Sequence, residues 1–328
     1  MLYPLTFQPL FKERVWGGRN LARLYQRNLP PDVPIGESWE ITDRPEGVSV
    51  IAHGPLAGKD LRWLMEHHRQ DLLGEAADCA GRFPLLIKLL DAQDTLSLQV
   101  HPPANAAARL HGEPKTEMWY IADAQPGASL FVGLKRGVTR ADFERAIRDG
   151  AVADCVHRVP VQAGDALFLP SGRLHAIGAG LVIFEIQQNS DTTYRVFDWN
   201  RMGLDGKPRE LHVAESLASI DFNDVEPAPI ASRYSRIPTF KLRYLVDDPL
   251  FTVNACQVKR GGRFYLRGST PQIVGLLRGR LRLSHAGQDL RLGPGQFALL
   301  PACLDRTALT AETAVEFLQA EPGGTRTP

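Results

Sequence analysis

The sequence predicts a mainly β protein, built as sandwiches or barrels with a few short helices, on three observations. Short apolar or alternating segments recur along most of the 328 residues. Gly 29 and Pro 24 supply turns at a level that favours short strands over long helices. Helical spacing of apolar residues is evident at only two places.

Strand-like runs fall at 83–90, 95–101, 117–122, 128–134, 166–169 and 181–187, each bounded by Gly, Pro, Asp or Asn. Asp60 is placed to cap a helix over 61–73, with Leu61, Leu64, Met65 and Leu72 on one face and Gly74 as its stop. Thr139 and Asp142 open a second helix, which Gly150 ends. The acidic, Pro-rich stretch 221–230 reads as a connector, and short strands with Gly turns resume after Arg236. The length fits about two domains: we expect residues 1–234 to form one and residues 235–328 the other. The tail 321–328 is expected to be disordered.

A weak repeat supports the division. Ala163-Gly164-Asp165-Ala166-Leu167-Phe168-Leu169-Pro170 resembles Pro294-Gly295-Gln296-Phe297-Ala298-Leu299-Leu300-Pro301. Aligned on the two prolines, His175 falls opposite Arg306, so the second copy keeps the frame without its histidine. No metal is expected in residues 235–328, whose only histidine is His285.

The formal charge of +1 argues against a nucleic-acid binder, which would need a basic face. Cys79, Cys155, Cys256 and Cys303 are scattered with no Cys-x-x-Cys pair, which argues against a thiolate zinc site and a disulfide framework. Residues 1–10 lack a signal-peptide pattern, and no apolar run is long enough to span a bilayer. A soluble, cytoplasmic protein is expected.

Residues two apart on a strand share a face. Gln99 and His101 therefore project together, as do Lys115 and Glu117, and His175 follows the Gly164-Asp165 turn and its strand. Two imidazoles, a carboxylate and an amide oxygen make a nitrogen–oxygen site for a divalent ion. Each alone is ordinarily structural, and the combination carries the reading. His53, His67, His68, His111, His157, His212 and His285 have no partner at such spacing. Lys88 sits inside an apolar run, so it either lies on an edge strand in solvent or points into a polar cavity. Glu185 ends another apolar strand, and Asp191 and Arg195 follow it.

These motifs together resemble the type I mannose-6-phosphate isomerase family in its short bacterial, two-cupin form. The matching stretches are Gln99-Val100-His101-Pro102, Lys115-Thr116-Glu117-Met118, residues 163–176, and Asn189 to Arg195. Val15-Trp16-Gly17-Gly18 and Gly36-Glu37-Ser38-Trp39-Glu40 also match. The resemblance is strong over about residues 3–222 and loose beyond. It implies two jelly-roll barrels, with one divalent ion, zinc in kind, held in the first by Gln99, His101, Glu117 and His175. It also implies a catalytic role for Arg195, with Lys88, Lys115, Glu185, Asp191 and Trp16 lining the pocket. The helical insertion of long eukaryotic members is missing, which bears on phosphate capture. The substrate implied is a small phosphorylated sugar, isomerised between mannose 6-phosphate and fructose 6-phosphate through an enediol. Glu185, Asp191, or a Lys115 or Lys88 of depressed pKa could move the proton. Arg195 stays charged and would stabilise the enediolate or anchor phosphate. The alternative is a non-catalytic, metal-containing sugar-binding cupin, and three cations around one metal argue against it.

Overall fold

The computed structural model describes residues 2–76 and 81–323, so Cys79 and the last five residues of the tail lie outside it. It contains two pairs of antiparallel sheets. In the first pair, a six-stranded sheet runs in the order Leu10–Gly18, Ile35–Ile41, Leu85–Ala92, Leu181–Gln188, Glu117–Ala124, Ala166–Leu169. It faces a five-stranded sheet ordered Tyr194–Phe197, Leu98–Val100, His175–Ile177, Ser129–Leu134, Val156–Pro160. The second pair sets Ser235–Arg236, Lys241–Asp247, Phe251–Val258, Val315–Pro322, Gln272–Arg278 and Phe297–Leu300 against a four-stranded sheet. Each unit is a pair of facing antiparallel sheets in a jelly-roll arrangement, and among the described residues no ladder joins the two sheets of a pair.

Period-two alternation explains why Leu85–Ala92 is buried at every position. Leu85, Ile87 and Leu89 face a core shared with the second sheet pair through Phe251, Leu299 and Leu318. Leu90 and Ala92 face the interior of the first sandwich, and Lys88 shares their face. Its neighbours Ile35–Ile41 and Leu181–Gln188 make the strand central, so the edge-strand option for Lys88 is overturned. The connector runs along the first unit, with Glu226 N donating to Leu134 O and Ile230 N to Ala166 O. Leu5 and Leu299 exchange backbone hydrogen bonds and tie the N-terminal segment to the second unit.

Several expected boundaries move. The 61–73 helix is two, Leu61–His67 and Arg69–Leu73, because His68 leaves helical geometry at φ −137°. Asp60 does cap the first, accepting from Trp63 N at 2.7 Å. Arg140–Asp149 carries the Thr139–Asp142 capping box and ends on left-handed Gly150. Strand 83–90 is displaced to Leu85–Ala92, and 95–101 shrinks to Leu98–Val100. Glu321 and Pro322 belong to the last strand, opposite Thr252 and Phe251, so that part of the tail is ordered by pairing. The strands Leu10–Gly18 and Ile35–Ile41 and the helices Asn20–Tyr25 and Val213–Ser219 were not apparent from periodicity. The repeat is structural: Ala166–Leu169 and Phe297–Leu300 each form the last strand of their six-stranded sheets. At the position matching His175, the Arg306 guanidinium lies 3.4 Å from the Tyr265 ring centroid.

Candidate active site

The two sheets of the first sandwich aim complementary sets of side chains inward. Register does the placing. In the six-stranded sheet Glu185 stands opposite both Lys88 and Trp119, and Gln187 opposite Glu117. In the five-stranded sheet Gln99 stands opposite both His175 and Arg195. Directly opposed residues share a face, so Gln99, His175 and Arg195 look toward Glu117, Lys88 and Glu185.

His101, Glu117 and His175 form the deepest group, all less than 3% exposed, with one donor atom each within 4.8 Å of the others. His101 Nε2 lies 3.3 Å from Glu117 Oε1, and His175 Nε2 lies 3.8 Å from Glu117 Oε2. The other ring nitrogens are committed. His101 Nδ1 donates to Thr192 O at 2.7 Å and His175 Nδ1 to Arg173 O at 2.9 Å. A carbonyl can only accept, so each Nδ1 carries the proton and each Nε2 presents a lone pair. Burial, then the Lys115 charge, pulls His101 down to about 3, and burial lowers His175 as well. Burial alone would raise Glu117, but Lys115 and His101 hold it well below the usual carboxylate range. Two neutral imidazoles facing one carboxylate is the protonation state a divalent ion needs. His101 Nε2 and Glu117 Oε2 are buried without a hydrogen-bond partner, while Glu117 Oε1 has the Lys115 ammonium at 2.7 Å. Buried polar atoms are rarely left so, and this donor set fits a metal.

Gln99 lies beside this group, but its amide nitrogen, 3.3 Å from His175 Nε2, is turned inward. Its oxygen faces Ser97 Oγ at 3.4 Å. Ligation would need the amide rotated end for end.

Above the trio opens a cavity of about 630 Å³. It is lined by Trp16, Lys88, Gln99, Lys115, Glu185, Asp191 and Arg195, and Lys115 and Gln99 join it to the trio through their contacts with Glu117 and His175. Lys115 Nζ is 2.7 Å from Glu117 Oε1. Lys88 Nζ is shared by three carboxylates, at 3.4 Å from Glu185 and 3.7 Å from Glu37 and Asp191. Burial would lower Lys88, but Glu185, Glu37 and Asp191 raise it above an ordinary lysine. That corrects the idea of Lys88 as a base of depressed pKa. Glu185 accepts from Trp119 Nε1 at 2.9 Å, and burial, then the Glu117 charge, pushes its carboxyl up. Arg195 donates through Nη1 to Glu210 O at 2.7 Å, while its buried Nε has no partner.

Several site residues were missed by sequence reasoning. Glu37 accepts from Arg14 Nε and Trp39 Nε1, both at 2.7 Å, and is drawn to about 2: burial opposes this, and Lys88 and Arg14 outweigh it. Its signal was the spacing, since Glu37 and Trp39 lie two residues apart and so share one face of a strand. Gly203, Leu204, Asp205 and Arg209 reach the cavity from a loop that carries no period. Asp198 holds that loop, accepting from Arg201 at 2.7 Å and from Arg209 Nε at 2.6 Å.

Lys88 also yields a stability prediction. Replacing it by methionine leaves Glu185 buried without its ion-pair partner, while Glu37 keeps Arg14. Breaking such a buried ion group costs about 3–5 kcal/mol, so Lys88→Met should lower Tm markedly in thermal melts. An unchanged Tm would show that the cation does not balance these carboxylates.

The mannose-6-phosphate isomerase of Streptococcus mutans is 35% identical over 303 residues, covering 92% of this chain and 93% of that one. The chain belongs to the type I mannose-6-phosphate isomerase family. The catalytic domain described as "Phosphomannose isomerase type I" matches residues 5–139. A second family member, mannose-6-phosphate isomerase ManA of Bacillus subtilis, is 36% identical over 302 residues, 91% of this chain and 93% of that one. The crystal structure of mannose 6-phosphate isomerase from Bacillus subtilis superposes with a TM-score of 0.89 at 29% identity, covering 97% of this chain and 99% of that one. The apo form from Salmonella typhimurium, at 19% identity and a TM-score of 0.74 over 98% and 100% of the two chains, shares the fold. This isomerase therefore has the mainly β, jelly-roll fold of its family. No described helix is long and apolar enough to cross a membrane.

Proposed function

We propose that the protein interconverts mannose 6-phosphate and fructose 6-phosphate through an enediol, using one divalent ion, zinc in kind, in the cytoplasm. The observation that carries this is the buried trio His101, Glu117 and His175, its two imidazoles turning unprotonated Nε2 atoms toward one carboxylate, beside a cavity lined by Lys88, Lys115 and Arg195. A bound ion there would act as a Lewis acid, stabilising negative charge on the sugar oxygens. Gln99 joins as a fourth ligand if its amide rotates.

The chain's own residues divide the remaining work. Glu185, its pKa raised by burial, is best matched to taking and returning the carbon-bound proton, with Asp191 as the second carboxylate. Lys115 holds Glu117 ionised and faces the cavity as a charged donor. Lys88 and Trp16 bind substrate, the first through its fixed charge and the second as a buried apolar wall. Arg195 offers a cation with no carboxylate partner among the described residues. In this reading residues 1–234 hold the site and residues 235–328 buttress it through the shared core and the Tyr120–Glu316 hydrogen bond. Free thiols at Cys155, Cys256 and Cys303 support a reducing compartment.

A coupled assay on mannose 6-phosphate with the zinc-loaded protein should show turnover, abolished by chelator and restored by metal. Binding of the sugar phosphate without turnover would leave a metal-holding sugar binder instead.

A further inference from the structure

Five residues form a row across the six-stranded sheet of the second unit, one from each of five adjacent strands. Arg236 stands opposite Lys241, Lys241 opposite Gln257, Gln257 opposite Glu316, and Glu316 beside Arg278. Opposed residues point to one face, so the row sets three cations, an amide and a carboxylate side by side. The carboxylate is fully engaged. Glu316 accepts from Tyr234 Oη at 2.6 Å, Tyr120 Oη at 3.1 Å and Gln257 Nε2 at 3.3 Å, and pairs with Arg278 at 3.0 Å.

Arg236 and Lys241 have no such partner among the described residues, and neither has Lys259, two residues beyond Gln257. Like charges directly opposed across a ladder destabilise it. Among the described residues Glu316 is the one carboxylate that lines the same cleft, and it is paired with Arg278 rather than with Arg236 or Lys241. Arg236, Lys241, Lys259 and Arg278 line one cleft of about 540 Å³, with Phe240, Val258 and Val315 as its apolar wall. That volume lies within the range of small-molecule sites. The cleft shares no lining residue with the cavity above His101, Glu117 and His175.

We propose that this cleft is a second anion site, which takes a small phosphorylated metabolite. Its phosphate sits among Arg236, Lys241 and Lys259, and its ring lies against Phe240. The planar fork of an arginine grips phosphate through two hydrogen bonds, and the two lysines add point charges. A bound dianion removes the Arg236–Lys241 repulsion, which gives the folded state a reason to retain it.

The test is calorimetric titration of the metal-loaded full chain at low ionic strength, with inorganic phosphate and with adenosine monophosphate as probes. Wild type is compared with Arg236→Gln/Lys241→Gln. We expect wild type to bind one equivalent more of each probe than the variant, while kcat and KM on the sugar phosphate stay equal. Each probe should raise the Tm of wild type by more than that of the variant, and without anion the variant should melt no lower than wild type. Adenosine monophosphate should bind about tenfold tighter than phosphate, and equal affinities would overturn the ring contact. Equal stoichiometry in both proteins would overturn the site. Sulfate binding as tightly as adenosine monophosphate would reduce it to an adventitious ion only. Should the double variant fail to fold, Lys259→Gln carries the same comparison, with affinity expected to fall about tenfold and an unchanged affinity counting against the site.

Discussion

Replacing His101 or His175 by alanine is expected to leave a folded protein with no bound metal and no measurable turnover. Wild type should hold about one divalent ion per chain. Each histidine offers a single Nε2 lone pair toward Glu117, and its Nδ1 is tied to a backbone carbonyl, so no other atom of the ring can substitute. Among the described residues no fourth histidine, cysteine or acid joins this cluster, and Gln99 presents nitrogen as it stands. One imidazole and one carboxylate cannot complete a tetrahedral shell. Elemental analysis after dialysis, with activity before and after adding zinc, makes the measurement. Chelated wild type should recover on adding zinc, and neither variant should. A variant that keeps one ion per chain and normal activity would sink the ligand assignment.

How much of this was legible in the sequence depends on the range of the interaction. Period-two pairs such as Gln99 with His101 and Lys115 with Glu117 are local, and the strand geometry that joins them is fixed by sterics. Helix caps at Asp60 and Thr139 are local too, and the structure carries both. The register that sets Glu185 opposite Lys88 is not local, since it couples positions nearly a hundred residues apart. Whether Lys88 met solvent or carboxylates was therefore open until the Ile35–Ile41 strand was seen to flank it. That strand escaped notice because all its residues are buried, so no hydrophobic alternation marks it. The sign of the Lys88 shift went astray for the same reason. Burial alone lowers a lysine, and only the three converging carboxylates reverse it.

Arg195→Ala should lower kcat about a hundredfold or more while KM changes little. The argument begins with register, which puts Arg195 on the inner face opposite Gln99, in the same row as His175. Its backbone is fixed on both sides by His212, whose N donates to Arg195 O at 2.8 Å and whose Nδ1 accepts from Arg195 N at 3.3 Å. The guanidinium spends one donor on Glu210 O, and among the described residues no carboxylate neutralises it. Burial and then the Arg209 charge make its cation less comfortable than an exposed arginine, so an anion in the cavity gains from meeting it. A preorganised donor aimed at charge that appears only in the transition state is worth about 3 kcal/mol, and its loss falls on kcat. If Arg195 instead holds the phosphate, which is charged throughout, KM should rise and kcat should stay near wild type. Arg195→Lys keeps the charge and loses the fork, so partial recovery of kcat would assign the effect to charge. Metal content should be unchanged in both variants, because a guanidinium is not a ligand. A wild-type kcat in Arg195→Ala would remove this residue from the chemistry and turn attention to Lys115.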